Sequence, residues 1–244
     1  MFTTAQSAMI IAHRGASYIA PENTLASAKL GWEKGADAVE IDIYLTTDEK
    51  IIAFHDKTTK RTTNADYKIT ETPYSSLKSL DAGSWKSPEY KGEPIPLLSH
   101  IMDAIPHGKE LVIEIKSGLE IMPYLKEMVY NHPKKEQTIF IAFDWEVILE
   151  AKRLFPQQPC YWLSSNKDDV MDKWMLIKKN ALDGINLHHK IITQELMLNA
   201  KNDNIPILSW TINDLKTANR LIALGIAGIT TDRPGWLRSQ ILNK

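Results

Sequence analysis

The sequence predicts an α/β fold: a (β/α)8 TIM barrel with a small insertion between the second strand and its following helix. Three observations carry this expectation. Eight short apolar, β-branched runs recur along the chain. Longer segments of helical period separate them, the alternation expected of βα units around a parallel sheet. The chain has 244 residues, close to the length at which a single barrel of this kind closes. Residues 1–244 are therefore read as one domain, and a composition of 43% hydrophobic and 24% charged residues is ordinary globular usage.

In chain order the eight strand candidates are MIIAH ending at His13, AVEIDIYL from Ala38, LVIEIK from Leu111 and TIFIAF from Thr138. They continue with CYWLS from Cys160, GINLH from Gly184, IPILSW from Ile205 and GIAGITT from Gly225. Apolar positions between them follow the 3.6 period, as in Leu25, Ala28 and Trp32 or Leu215, Ala218 and Ile222. Helix ends are punctuated to match. Asn213 reads as the N-cap of the seventh helix, Gly225 as the residue just past its end, and Pro234 as a first-turn proline of the last helix. Residues 57–110 break the rhythm between the second and third strands. They carry turn residues, Trp85, Tyr90 and several prolines, and read as an insertion with structure or function of its own.

Charge and cysteine content exclude several classes. With 29 basic and 30 acidic residues the net charge is -1, so no nucleic-acid partner is expected. Cys160 is the one cysteine, cannot form an intramolecular disulfide, fits a reducing compartment and reads as a small core hydrophobe. The start MFTTAQSAMIIAHRG has no basic leader region and only a short apolar run, unlike a signal peptide. No stretch approaches the ~20 consecutive apolar residues of a membrane span. The expectation is a cytoplasmic protein.

In such barrels the chemistry sits at the C-terminal ends of the strands. There the first run ends in His13-Arg14-Gly15 and the second carries Glu40 and Asp42. A short return segment, IIAF, delivers His55-Asp56, and the third run carries Glu114 and Lys116. Strand side chains alternate, so Glu40 and Asp42 share a face, as do Glu114 and Lys116. Either motif alone is most simply a solvent-facing alternation; five such signals in order at the first three strand ends point to a site. Three converging carboxylates repel one another unless a cation sits between them. Oxygen ligands favour one divalent cation, Mg²⁺ or Ca²⁺, over Zn²⁺. Three carboxylates, one M²⁺, Arg14 and Lys116 together carry a formal charge of +1, matching a monoanionic phosphodiester. His13 and His55 have the intrinsic pKa of an acid/base pair near neutral pH.

The chain resembles the glycerophosphodiester phosphodiesterases. The block HRGASYIAPENT, His13 to Thr24, is similar to that family's H-R-G followed by P-E-N-T. V-E-I-D, H-D and I-E-I-K follow in the family's order, with RTTN from Arg61, LDAGSW from Leu80, WTIN from Trp210 and GITTDRP from Gly228. The resemblance implies Glu40, Asp42 and Glu114 as metal ligands, His13 and His55 as acid/base residues, and Arg14 and Lys116 as phosphate contacts. It implies hydrolysis of a small-molecule glycerophosphodiester to sn-glycerol 3-phosphate and an alcohol, with 57–110 as the family's small subdomain. Ala142-Phe143 stands where members often have Ser-Phe, Asn64-Ala65-Asp66 where a glycine is common, and PIPLLSH where P-T-L-x-E is usual; these bear on substrate preference.

Other residues carry weaker expectations. Phe143 and Trp210 either wall the glycerol carbons or close the barrel core, and Trp85 is a candidate cover for the glycerol end. Asp232 reads as a cap of the last helix, Glu22 and Asn23 as supports of the loop beneath His13, and His188-His189 as structural. A lipid-diester phosphodiesterase could use the same core. A glycoside hydrolase would use Glu40 and Glu114 but leave Arg14, Lys116 and both histidines idle. A silent scaffold would need neither histidine.

Overall fold

The structure, a computed structural model, describes residues 8–242. Residues 1–7, part of the stretch read as lacking a leader, lie outside the described residues. Nine strands are found among the described residues: β1 (Met9–Ala12), β2 (Ala38–Leu45), β3 (Ile51–Ala53), β4 (Glu110–Ile115), β5 (Thr138–Ala142), β6 (Cys160–Ser164), β7 (Gly184–His188), β8 (Ile207–Trp210) and β9 (Gly228–Thr231). Hydrogen bonding runs β1-β9-β8-β7-β6-β5-β4-β2, and β2 pairs back onto β1. Eight parallel strands thus close a barrel, and β3 lies outside it as an antiparallel partner of β2.

Alternation along the strands makes two cores. Ile41, Ile43, Ile113 and Ile115 point outward and pack with the helices. Ile11, Ala38, Val112, Ile139, Ile141, Leu163 and Leu208 fill the barrel interior. Glu40, Asp42 and Glu114 sit on the interior face above that apolar layer, with Asp42 directly opposite Glu114 in the β2–β4 register. The polar residues therefore reach the C-terminal mouth because they share the parity of the interior residues.

The helices are α1 (Leu25–Glu33), α2 (Tyr74–Leu77), α3 (Leu98–Ala104), α4 (Met122–Asn131), α5 (Trp145–Leu154), α6 (Lys167–Lys179), α7 (Gln194–Asp203), α8 (Leu215–Ala223) and α9 (Pro234–Leu242). Thr24 caps α1, its hydroxyl oxygen accepting from Ser27 N at 3.1 Å. Pro234 opens α9, and Gly225 follows α8 with φ +84°, both as the sequence suggests. The cap of α8 is Asp214 rather than Asn213, whose amide is used elsewhere. Two strands start later than their apolar runs. Pro206 has no N–H to give the ladder, so β8 begins at Ile207, and the left-handed Gly225 delays β9 to Gly228.

Within the 57–110 stretch, Ile69, Leu77, Leu80, Ala82 and Ile95 form a separate cluster with Tyr44, Ile52 and Phe54 from the β2–β3 hairpin. The later part differs. Leu98, Ile101 and Met102 of α3 join the main core, so α3 serves as the barrel helix between β2 and β4.

Candidate active site

The chain leaves β1 through a tight turn in which Arg14 and Gly15 both take positive φ, 54° and 82°. A side chain at Gly15 is shut out, because its Cβ would lie 2.4 Å from the Ser27 carbonyl carbon. Arg14, a non-glycine residue held in that region, is fixed by its surroundings. Its backbone N–H donates to Glu40 Oε2 at 2.9 Å, its Nη1 to Glu22 Oε1 at 2.9 Å, and its Nε lies 3.4 Å from Asp42 Oδ2.

Glu40, Asp42 and Glu114 converge as expected, and one oxygen of each lies within 4.8 Å of the others. Glu40 and Asp42 are buried, at 3% and 1% exposure. Burial, then the charges of Asp42 and Glu114, hold the Glu40 carboxyl well above the usual range. Burial and Asp42 likewise push Glu114 up to about 7, against the opposing pull of Lys116. Asp42 moves the other way. Burial would raise it, but Arg14, Lys116 and His55 outweigh that, with Asn23 Nδ2 donating to Oδ2 at 2.8 Å. Lys116 Nζ sits 2.7 Å from Glu114 Oε1 and 3.4 Å from Asp42 Oδ1, and despite burial these carboxylates raise it to about 12.

Both histidines face this cluster, and each is braced by a carboxylate. His13 Nδ1 bonds Asp232 Oδ1 at 2.6 Å, and His55 Nδ1 bonds Asp56 Oδ1 at 2.6 Å. Burial opposes ionisation of Asp232, yet the bond and charge of His13, with Asn213 and Ser17, bring it down to about 2. Asp56 is also drawn to about 2, chiefly by Arg61, whose Nε donates at 2.6 Å. Arg61 reaches further and gives two bonds to Glu22, the residue that holds Arg14. His55 itself is shifted below the ordinary histidine value by burial, with Asp42 pulling up and Arg14 pushing down.

One cleft is lined by His13, Arg14, Glu40, His55, Glu114 and Lys116 on one side. Ile141, Phe143, Leu163, Asn186, Trp210 and Thr230 complete it. Phe143 and Trp210 meet edge to face at 5.5 Å and form an apolar wall, and Phe143 stays 45% exposed. Trp85 is not among the lining residues. Its Nε1 donates to Ala82 O, while neighbouring Lys86 ties the insertion to Ser17 O on the loop after β1. His188 meets Trp210 edge to face at 5.0 Å and accepts from Lys190 N.

A divalent cation fits this donor set. Glu40 Oε1 is buried with no hydrogen-bond partner, and three carboxylates face only two fixed cations, Arg14 and Lys116. All the donors are hard oxygens, the preference of Mg²⁺ and Ca²⁺. Such an ion would take Glu40, Asp42 and Glu114 as ligands.

Some contacts around the cleft are not legible in local motifs. Asp232 is not a side-chain cap of α9 as expected: its carboxylate turns to His13, and Asn213 Nδ2 holds the other oxygen at 2.6 Å. The Glu22–Arg61 fork, 39 positions apart, and the buried Asn186 have no local signature either. Only the pairing of far-separated segments brings them in.

The model of the glycerophosphoryl diester phosphodiesterase family matches residues 13–236, which include every residue of the cleft. A glycerophosphodiester phosphodiesterase of Caldanaerobacter subterraneus subsp. tengcongensis is 31% identical over 234 residues, covering 94% of this chain and 96% of that protein. The solved structure of an Oleispira antarctica phosphodiesterase in complex with the product sn-glycerol-3-phosphate is 32% identical. It superposes with a TM-score of 0.90, over 96% of this chain and 97% of that one.

Proposed function

The chain belongs to the glycerophosphoryl diester phosphodiesterase family, and from that premise we propose a mechanism: metal-dependent hydrolysis of a glycerophosphodiester to sn-glycerol 3-phosphate and an alcohol, with two histidines moving the protons. The observation that carries this reading is a cleft that two aspartate-braced histidines line together with Glu40, Glu114, Arg14 and Lys116, with Asp42 buried against the two glutamates.

Arg14 and Lys116 supply the fixed positive charge that holds the phosphoryl oxygens, each itself anchored by carboxylates that keep it protonated. A cation on Glu40, Asp42 and Glu114, Mg²⁺ or Ca²⁺, would polarise a phosphoryl oxygen and favour the ionised form of the attacking hydroxyl. His13 and His55 each have Nδ1 committed to an aspartate, which leaves Nε2 for the cleft. One accepts the proton of the attacking hydroxyl as the new P–O bond forms. The other donates a proton to the leaving alcohol as the old P–O bond breaks. Phe143 and Trp210 pack the glycerol carbons, while Trp85 stands outside this lining on the insertion, whose Lys86 reaches the loop after β1.

On this reading residues 1–244 act as one barrel domain with its subdomain in 57–110, and the substrate is a small molecule. A cytoplasmic setting suits a chain whose one cysteine, Cys160, is a buried free thiol. The test is release of glycerol 3-phosphate from glycerophosphocholine with Mg²⁺, with Ca²⁺ and with excess chelator. Release with a cation and none with chelator is the expected result; full activity in chelator would overturn the metal-dependent reading.

A further inference from the structure

Across the mouth from the carboxylates, the side chain of Asn186 sits between apolar neighbours. β7 is separated from β2 by three strands in either direction round the ring, so Asn186 faces the metal-ligating side from directly opposite. Its register neighbours on the flanking strands are Leu163 and Leu208, both interior residues of the barrel. Asn186 is 2% exposed and lines the cleft. Its backbone oxygen is used, accepting from Trp210 Nε1 at 3.3 Å, but its side-chain Oδ1 is buried without a hydrogen-bond partner.

Leaving a buried acceptor unpaired is unfavourable, and a leucine here would match its neighbours without that penalty. A ligand that supplies a donor removes the penalty. A phosphate cannot, being an acceptor, and the cation belongs at the opposite carboxylates. An alcohol can. Building on the function proposed above, we propose that Asn186 is a specificity-determining residue whose Oδ1 accepts a hydrogen bond from a hydroxyl of the substrate's glycerol moiety, while Phe143 and Trp210 cover its carbons. With the phosphate held by Arg14 and Lys116 on one side, a hydroxyl-bearing arm spans the cleft, and an alkyl arm of equal length leaves Oδ1 stranded.

The experiment compares two diesters, glycerophosphocholine and propylphosphocholine, and two product ligands, glycerol 3-phosphate and propyl phosphate, on the full chain with Mg²⁺. Asn186→Leu should lower kcat/KM for glycerophosphocholine and affinity for glycerol 3-phosphate by roughly 10- to 100-fold, one buried hydrogen bond's worth. The propyl compounds should change far less, so that discrimination collapses. Asn186→Asp, which keeps an acceptor, should retain the preference for the hydroxylated ligand even if both bind more weakly. Should the leucine variant fail to fold, Asn186→Ala gives the same ratio. Equal losses on glycerol and propyl ligands, unchanged discrimination, or a loss of Mg²⁺ affinity by calorimetry would overturn the assignment. A wild-type chain that releases no glycerol 3-phosphate would overturn the function itself; intact wild-type turnover with unaltered discrimination in the variants would sink only Asn186.

Discussion

Glu22 and Arg61 meet through paired hydrogen bonds of 2.9 and 2.7 Å, and this contact ties the loop after β1 to the segment after β3. Each partner also reaches a second residue, since Glu22 holds Arg14 while Arg61 holds Asp56, which braces His55. One guanidinium therefore couples the proposed phosphate clamp to one of the proposed proton carriers.

Arg61→Ala should accordingly lower kcat more than it raises KM, by roughly 10- to 100-fold, since misplacing a catalytic group by about 1 Å can cost 10²-fold. Arg61→Lys should rescue little, because an ammonium cannot make both forked contacts. Steady-state kinetics on glycerophosphocholine decide this, and an alanine variant with wild-type kcat would show that the fork is ornamental to turnover.

Removing a cation ligand should remove cation binding. Glu40→Ala and Glu114→Ala are expected to abolish turnover and the rise in melting temperature that Mg²⁺ or Ca²⁺ gives the wild type. Differential scanning calorimetry with and without the ion reads this apart from activity. A melting temperature indifferent to both ions would contradict the site.

His13→Ala and His55→Ala should each cost roughly 10²- to 10⁴-fold in kcat. Asp232→Asn should also slow turnover while leaving Mg²⁺ affinity intact, because its carboxylate orients His13 from outside the carboxylate trio. Wild-type rates in Asp232→Asn would remove it from the machinery.

Acid should destabilise the fold through Asp56 and Asp232. Both are lowered to about 2 in the folded chain, against about 3.9 when unfolded. Their contribution is present above the unfolded value and is lost as pH falls through the folded one. Each side chain is under a third exposed, so by pH 3 the loss is on the order of 1 kcal/mol per group. Urea melts at pH 5 and pH 3 should show a smaller drop for Asp56→Asn than for wild type; an equal drop would contradict the linkage.

The enzyme should tolerate variation on the alcohol side of the diester, as the same cleft suggests. Every charged residue of its lining is assigned to the phosphate, the cation or the proton transfers, which leaves no charged group there for a head group. Glycerophosphocholine and glycerophosphoethanolamine should differ in kcat/KM by less than roughly 10-fold. A larger gap would call for a head-group subsite.

Residues alone report whatever a strand's parity or a local turn decides. Glu40, Asp42, Glu114 and Lys116 fall on one face by alternation, and His13-Arg14-Gly15 ends a run too apolar to be anything but a buried strand. Asp232 misleads because an Asp before Arg-Pro has the form of a cap. Its true partner is 219 positions away, and no local pattern reports that. Asn213 illustrates the same limit: next to Asp214, either residue could cap α8, and only the nearness of β9 assigns its amide to Asp232. Asn186 has the form of an ordinary strand residue. Its meaning depends on what lies across the ring, which is a property of closure.

The His13–Asp232 bond also bears on when the protein becomes competent. During synthesis the first strand emerges with its histidine long before the last strand exists, and β1 must wait for β9 to cover its open edge. Ribosome-bound chains that stop short of Asp232 would already carry all three carboxylates and both imidazoles, but with one imidazole unoriented and an unpaired strand exposed to other chains. Activity should therefore arrive late and all at once, with the passage of the final strand out of the exit tunnel.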